Sequence, residues 1–211
     1  MSSISLLGLS GATITLIIIV GGMAFLLIII GMVAYSTYNG LVTGLERYKV
    51  AWAQIDVQLR RRHDLIGPLV ETVKGYMAHE RETLDSVISA RNQCTINLEG
   101  LDLTNAATMK NLMGAENMLS GALSKLMAVA EAYPDLKADS IMANFQEQLI
   151  STENRIGFAR QSYNDSCAAF NIFRKRFPQV LFSSMFGFSS DAPLWEIEDD
   201  TIREAPEVKF N

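Results

Sequence analysis

The stretch 52-WAQIDVQLRRRHDLIGPLVETVKGY-76 decides the fold. Trp52, Ile55, Leu59, Ile66, Leu69, Val73 and Tyr76 fall three and four positions apart, which places them along one side of an α-helix. Arg62 interrupts that series at a position where an apolar residue belongs. The register survives Gly67-Pro68, so the spacing predicts one helix bent there, because proline removes a backbone hydrogen bond and crowds the preceding turn. Upstream the series reaches Tyr48, Leu45 and Leu41, and downstream it fades only around Asn97.

Two more helices follow by the same reading. One covers 106–133, with Leu112, Ala115, Leu119, Leu123, Leu126, Ala130 and Tyr133 on one face; the other covers 138–176, from Phe145 through Ile156 and Tyr163 to Phe173. Glu99-Gly100 and Pro134-Asp135 separate them, and Pro178 stops the last. With no strand alternation before the tail, the fold class is all-α: an elongated, coiled-coil-like antiparallel bundle of long helices. Helix one at 41–96 would extend about 84 Å and helix two about 42 Å at ~1.5 Å per residue. That mismatch leaves Leu45, Tyr48, Trp52, Ile55 and Leu59 without a partner, and they are the expected homo-oligomer interface.

Ahead of the bundle, Leu16 to Ala34 is wholly apolar and no Asp, Glu, Lys or Arg precedes Glu46. A run of roughly 20 apolar residues matches the hydrocarbon core of a bilayer, so a transmembrane helix is expected at 12–36, ending at Tyr35 and Tyr38. It lacks the basic start and the cut site of a cleaved signal. Arg47 and Lys49 follow the span, which by the positive-inside rule orients the C-terminal domain to the cytoplasm of a single-pass inner or plasma membrane protein. The organisation is then an N-terminal segment 1–11, the span 12–36, a bundle 37–188 and an irregular acidic tail 189–211. That tail holds 7 acidic and 2 basic residues and so carries the whole net charge of −5. A charge-balanced body gives no reason to expect nucleic-acid binding.

The runs "AWAQIDVQLRRR", "LVETVKGY", "YPDLKA" and "TENRIGFARQSYND", in that order, resemble the LemA family of bacterial and archaeal membrane-anchored proteins, over most of Tyr38 to Phe188. The resemblance implies one N-terminal transmembrane helix and a bundle of long helices. It implies no catalytic residue, and it suggests envelope proteins such as membrane proteases as partners.

Residues able to do chemistry are sparse. His63 and His79 would lie about 24 Å apart on one helix and cannot share a metal. "His79-Glu80" lacks the second histidine of a zinc-protease motif, Thr83 standing there instead. Cys94 and Cys167 read as buried free thiols, and no phosphate-cradling glycine loop occurs. No cofactor, metal or small-molecule substrate is expected. Gly40 and Gly44, four apart, offer a surface for close helix approach.

Arg60, Arg61 and Arg62 fan around the helix, about 100° apart. They form either a solvated belt neutralised by Asp56 and Asp64, or an ion-pair register point at Arg62 meeting carboxylates from another helix or subunit. Thr152, Tyr163 and Ser166 sit on the seam of the last helix and suggest a polar network that fixes helix register. The greasy segment with Phe177, Leu181, Phe182, Met185, Phe186 and Phe188 follows Arg174, Lys175 and Arg176. It is expected to dock into a neighbouring subunit, since a third alternating helix would end away from the bilayer; Val208 and Phe210 could dock the tail. The functional expectation is a non-enzymatic, self-assembling scaffold or adaptor that organises or recruits membrane proteins. The alternatives are a membrane-shaping or lipid-organising module and an enzyme with a site at a subunit interface.

Overall fold

The computed structural model describes residues 11–77 and 79–195. The helices are α1 (Gly11–Lys74), α2 (Arg81–Glu99), α3 (Ala106–Ala130), α4 (Pro134–Lys137), α5 (Ser140–Lys175) and α6 (Val180–Ser183), with no strand among the described residues. The all-α expectation holds. The described residues divide into a bundle unit, 44–171 with 190–195, and an anchor unit, 11–43 with 172–189.

In the bundle unit, α1 carries Pro68 inside it as expected, but it ends at Lys74. The expected single helix over 41–96 is two helices, reversed at Gly75 to Glu80. There Met77 N donates to Val73 O and Glu80 N to Met77 O, both at 3.0 Å. The break was hidden because the spacing runs straight through it: Tyr76, Glu80, Leu84, Val87, Arg91, Cys94 and Leu98 continue the threes and fours. Tyr76 is exposed, and Met77 fills the core beside it. The next reversal is built from short polar side chains. Asp102 Oδ1 accepts from Thr104 N at 2.8 Å, and Asn105 caps α3 by accepting from Ala107 N at 2.9 Å. Asp139 Oδ1 starts α5 in the same way, accepting from Ile141 N at 2.8 Å.

The added reversal brings α5 back antiparallel to α1. Trp52 meets Tyr163 at 5.7 Å between ring centroids, and Arg62 meets Glu153. Gly44 lets Phe170 approach, since a Cβ there would stand 3.0 Å from the ring. The seam expected to be free is therefore covered within the chain. Tyr48, Trp52, Ile55 and Leu59 are buried and Leu45 is half-buried. The length comparison went wrong by setting helix one against helix two alone, when α5 is the helix that lies along this part of α1.

The core runs in levels. An aliphatic level joins Ile66, Leu69 and Val73 of α1, Leu84 and Val87 of α2, Leu119 and Leu126 of α3, and Met142 of α5. An aromatic level gathers Tyr48, Trp52, Tyr163 and Phe170. Trp195 completes it, stacked on Trp52 at 5.9 Å with the Arg160 guanidinium 4.5 Å from its ring centre. Two asparagines one heptad apart on α5 hold the chain that brings Trp195 there. Asn171 exchanges hydrogen bonds with both backbone groups of Ala192 (2.8 and 3.0 Å), and Asn164 with both of Trp195 (2.8 and 2.9 Å). Tyr163 Oη adds a donation to Pro193 O at 2.8 Å. The expected tail docking through Val208 and Phe210 lies outside the described residues.

In the anchor unit, the apolar part of α1 is the one described stretch long and apolar enough to cross a membrane. Its side chains from Leu16 to Met32 are exposed, as is Tyr35. A Cβ on Gly40 would collide with the Phe173 ring, and Tyr38 meets Phe186 edge-on at 5.4 Å. The segment after α5 coils back on itself. Phe188 N donates to Ser183 O (2.9 Å) and Gly187 N to Ser184 O (3.2 Å), with Gly187 at φ 85°. This helix-ending motif needs the left-handed backbone that glycine adopts at no steric cost. The expectation that Phe177–Phe188 would lie away from the membrane end is overturned, because the extra reversal returns α5 to the Tyr38 level of α1.

Candidate functional site

Between the aliphatic and aromatic levels the bundle buries charge. Arg62, one of three consecutive arginines, is only 2% exposed, while Arg60 and Arg61 are exposed. Arg60 pairs with Asp56 at 3.0 Å on the surface. The belt reading fits Arg60, and the register reading fits Arg62. Its Nη2 donates to Glu116 of α3, whose side chain is fully buried, and its Nη1 donates to Glu153 of α5 at 2.5 Å and weakly to Ser120 at 3.4 Å. His63 Nε2 meets the other Glu116 oxygen at 2.9 Å. One guanidinium thus ties α1 to both α3 and α5, and one carboxylate receives two partners from α1.

The electrostatics follow from the geometry. Burial alone would raise the Glu116 pKa, but the His63 hydrogen bond and the adjacent Arg62 charge outweigh it and hold the carboxyl below its ordinary value. Cys94 of α2 packs against this carboxylate. Burial and then the Glu116 charge push its thiol up to about 12. Arg91 Nε of α2 donates to the His63 carbonyl at 2.7 Å and so ties a further helix to this part of α1.

His63, Cys94 and Glu116 place one donor atom each within 4.8 Å of one another, so folding does bring a cysteine to a histidine. Sequence spacing separates Cys94 from both histidines and allows folding to bring at most one cysteine to a histidine; it does not point to Glu116 as the third member. The chemistry of the donor set is nonetheless poor for a cation. The carboxylate is already neutralised by a touching guanidinium, the thiol strongly resists ionising, and a dication would stand beside a buried positive charge. What the arrangement does is tie α1 to α3 and α5 through charged side chains. His79 is exposed in the α1–α2 turn, away from this chemistry.

Cys167, like Cys94, is a buried free thiol, as expected. The expected register network at Thr152, Tyr163 and Ser166 does not form. Thr152 Oγ1 donates to the Gln148 carbonyl of its own helix and Ser166 to that of Ser162, while Tyr163 serves Pro193. The buried polar contacts between helices centre instead on Glu116, which the sequence reading did not single out. Its signal was present: Glu116 is the only acidic residue of α3, one position from the core residue Ala115. A seam arginine needs such a counter-charge.

Outside the node, the bundle unit presents a groove between α1 and α5 of about 610 Å³, lined by Val50, Ala53, Val57, Arg155 and Phe158 among others. Val50, Val57 and Phe158 are exposed.

Comparison with known proteins sets these features in a lineage. The magnetosome protein MamQ of Magnetospirillum gryphiswaldense is 24% identical over 168 residues, covering 72% of this chain and 62% of that protein. Magnetosome protein MamQ 2 of Paramagnetospirillum magneticum is 25% identical with the same coverage. Protein LemA of Metamycoplasma hominis is 26% identical over 133 residues, 63% of this chain and 57% of that protein. The chain thus spans less than two thirds of the length of these relatives. The family model for LemA matches residues 51–210, which takes in α2 to α6, the ionic node and the clasped strap. The chain belongs to the LemA family.

Proposed function

We propose that this protein is a membrane-anchored, non-enzymatic helical scaffold that self-associates and presents its bundle to other membrane proteins. The observation that carries the reading is the exposed apolar face at Val50, Val57 and Phe158. Contiguous apolar side chains left in water mark a surface that meets a partner, and the first partner expected is a second copy. This face replaces the Leu45–Leu59 seam as the place where copies meet. The non-enzymatic side of the reading draws support from the node, whose charged groups are spent on one another instead of being presented to a cleft. The names of the relatives, magnetosome protein and LemA, designate no reaction. The apolar part of α1 supports attachment to a membrane, and the basic Arg47 and Lys49 after it favour a bundle on the cytoplasmic side of the inner or plasma membrane.

Mass measurement of the complex extracted in mild detergent tests the reading. The wild-type chain should exceed the monomer mass, and Val57→Asp with Phe158→Asp should reduce it to the monomer with helix content unchanged. A monomeric wild type without co-purifying membrane proteins would sink the scaffold. Stoichiometric zinc that disappears with Cys94→Ser would reopen the enzyme reading.

A further inference from the structure

The anchor unit carries a second apolar surface besides the span. At the end of α5 the chain holds Arg174, Lys175 and Arg176, then twelve residues with seven large apolar side chains, and no acidic residue lies between Asp165 and Asp191. The folded segment has two faces. Its inner face stacks Phe182 on Phe186 at 6.2 Å and sets Phe186 against Tyr38, with Ser183 buried. Its outer face shows Phe177, Leu181 and Met185, four residues apart, at 75%, 60% and 78% exposure, with Val180 beside them. Side chains this greasy and this exposed are out of place in water.

Position says what covers them. Within this unit Phe173 sits over Gly40 and Phe186 against Tyr38, so the segment advances toward the apolar part of α1 as it leaves α5. Tyr38 stands just past the wholly apolar run that ends at Ala34, where an amphipathic aromatic meets lipid headgroups. The Arg174 guanidinium donates to Ser189 O at 2.8 Å and draws the two ends of the segment together, so the face is presented as a folded knob. We propose that Phe177–Phe188 is a second membrane contact. Phe177, Leu181 and Met185 enter the boundary between headgroups and acyl chains next to the point where α1 leaves the bilayer, and the 174–176 basic run faces anionic headgroups. The segment that bears the apolar face packs at the Tyr38 end of the span, and the basic run beside it is complementary to an anionic leaflet. Both arguments favour lipid over protein. The proposal rests on the reading that the apolar part of α1 crosses the membrane.

The test uses the full chain reconstituted in vesicles of phosphatidylcholine and phosphatidylglycerol. Single exposed cysteines are introduced as Leu181→Cys, Met185→Cys, Leu27→Cys in the span and Ile96→Cys on the bundle, each labelled with an environment-sensitive fluorophore. Cys94 and Cys167 are buried and stay unlabelled. Spin-labelled lipids with the nitroxide high on the acyl chain should quench the probes at 181 and 185 several-fold more than the probe at 96. The probe at 27 should respond to a nitroxide deep in the chain. Quenching at 27 with none above the 96 level at 181 and 185 overturns the proposal while the span stands. No quenching at 27 removes the span itself. Probes at 181 and 185 that are shielded from lipid quenchers but self-quench as protein density rises would assign the face to a second copy and overturn the proposal as well.

Discussion

Two levels of one bundle, fed by the same heptad seam, are filled by opposite chemistry. Around Trp52 the space is taken by rings: Tyr48, Tyr163, Phe170 and the incoming Trp195 pack edge-on or stacked, and their few polar atoms go to a clasped backbone. Around Arg62 it is taken by an ion pair with no water-facing side on Glu116. The aromatic level gains from area and tolerates approximate geometry. The ionic level gains almost nothing over an apolar filling, but it penalises every misalignment, since a slipped register strands a buried charge. Adhesion and alignment are thus assigned to different floors of the same structure.

Glu116→Ala should have the largest effect. It leaves His63 buried without its carboxylate and Arg62 with only the half-exposed Glu153, and should cost about 3 kcal/mol in a denaturant titration of the detergent-solubilised protein. Combining it with Arg62→Met should recover most of that loss, because the pair's net worth is small. If the double variant is as unstable as the single one, the ionic level is adhesive and the contrast fails.

Trp195→Ala comes next, at about 3 kcal/mol, the cost typical of emptying a large buried site. Asn164→Ala should cost about 1–2 kcal/mol by abandoning two backbone groups. Equal losses from these two variants would mean that the strap is held by its hydrogen bonds, with the tryptophan incidental.

Acid sharpens the comparison. The folded Glu116 binds a proton less readily than the unfolded one, so its stabilisation is full above the ordinary glutamate pKa near ~4.3 and drains as pH falls through the lower folded value. The stability profile of the wild type should fall in that window, and that of Glu116→Gln should be flatter. The smallest effect belongs to the neighbouring surface pair, where Asp56→Ala should change stability by less than about 0.5 kcal/mol despite its good geometry.

How legible these features were in the sequence depended on whether local spacing or long-range pairing made them. Heptad spacing is local, so α3 and most of α1 and α5 could be placed from it. It is blind to a reversal that preserves its count, which is why the turn at Gly75–Glu80 passed unseen and the direction of every later helix was misread. From that one miss came both the free seam and the misplaced Phe177–Phe188 segment. The site was half visible. Arg62 stood out because a charge on a seam needs a partner, but its partners lie on two other helices and no periodicity within α1 points to them. The strap was less visible still, since Asn164 and Asn171 resemble ordinary helix-surface polar residues until an extended chain lies beside them.

The link between Arg62 and Glu153 joins residues 91 positions apart, and it puts a delay into the making of this molecule. At about 5–20 residues per second of synthesis, Arg62 emerges roughly 5–18 s before Glu153 exists. For that interval α1 can find neither its carboxylate on α5 nor the rings that cover Trp52. Until α5 has been made, Trp52, Ile55 and Leu59 lack the helix that covers them, so this level of the bundle closes only at the end of synthesis.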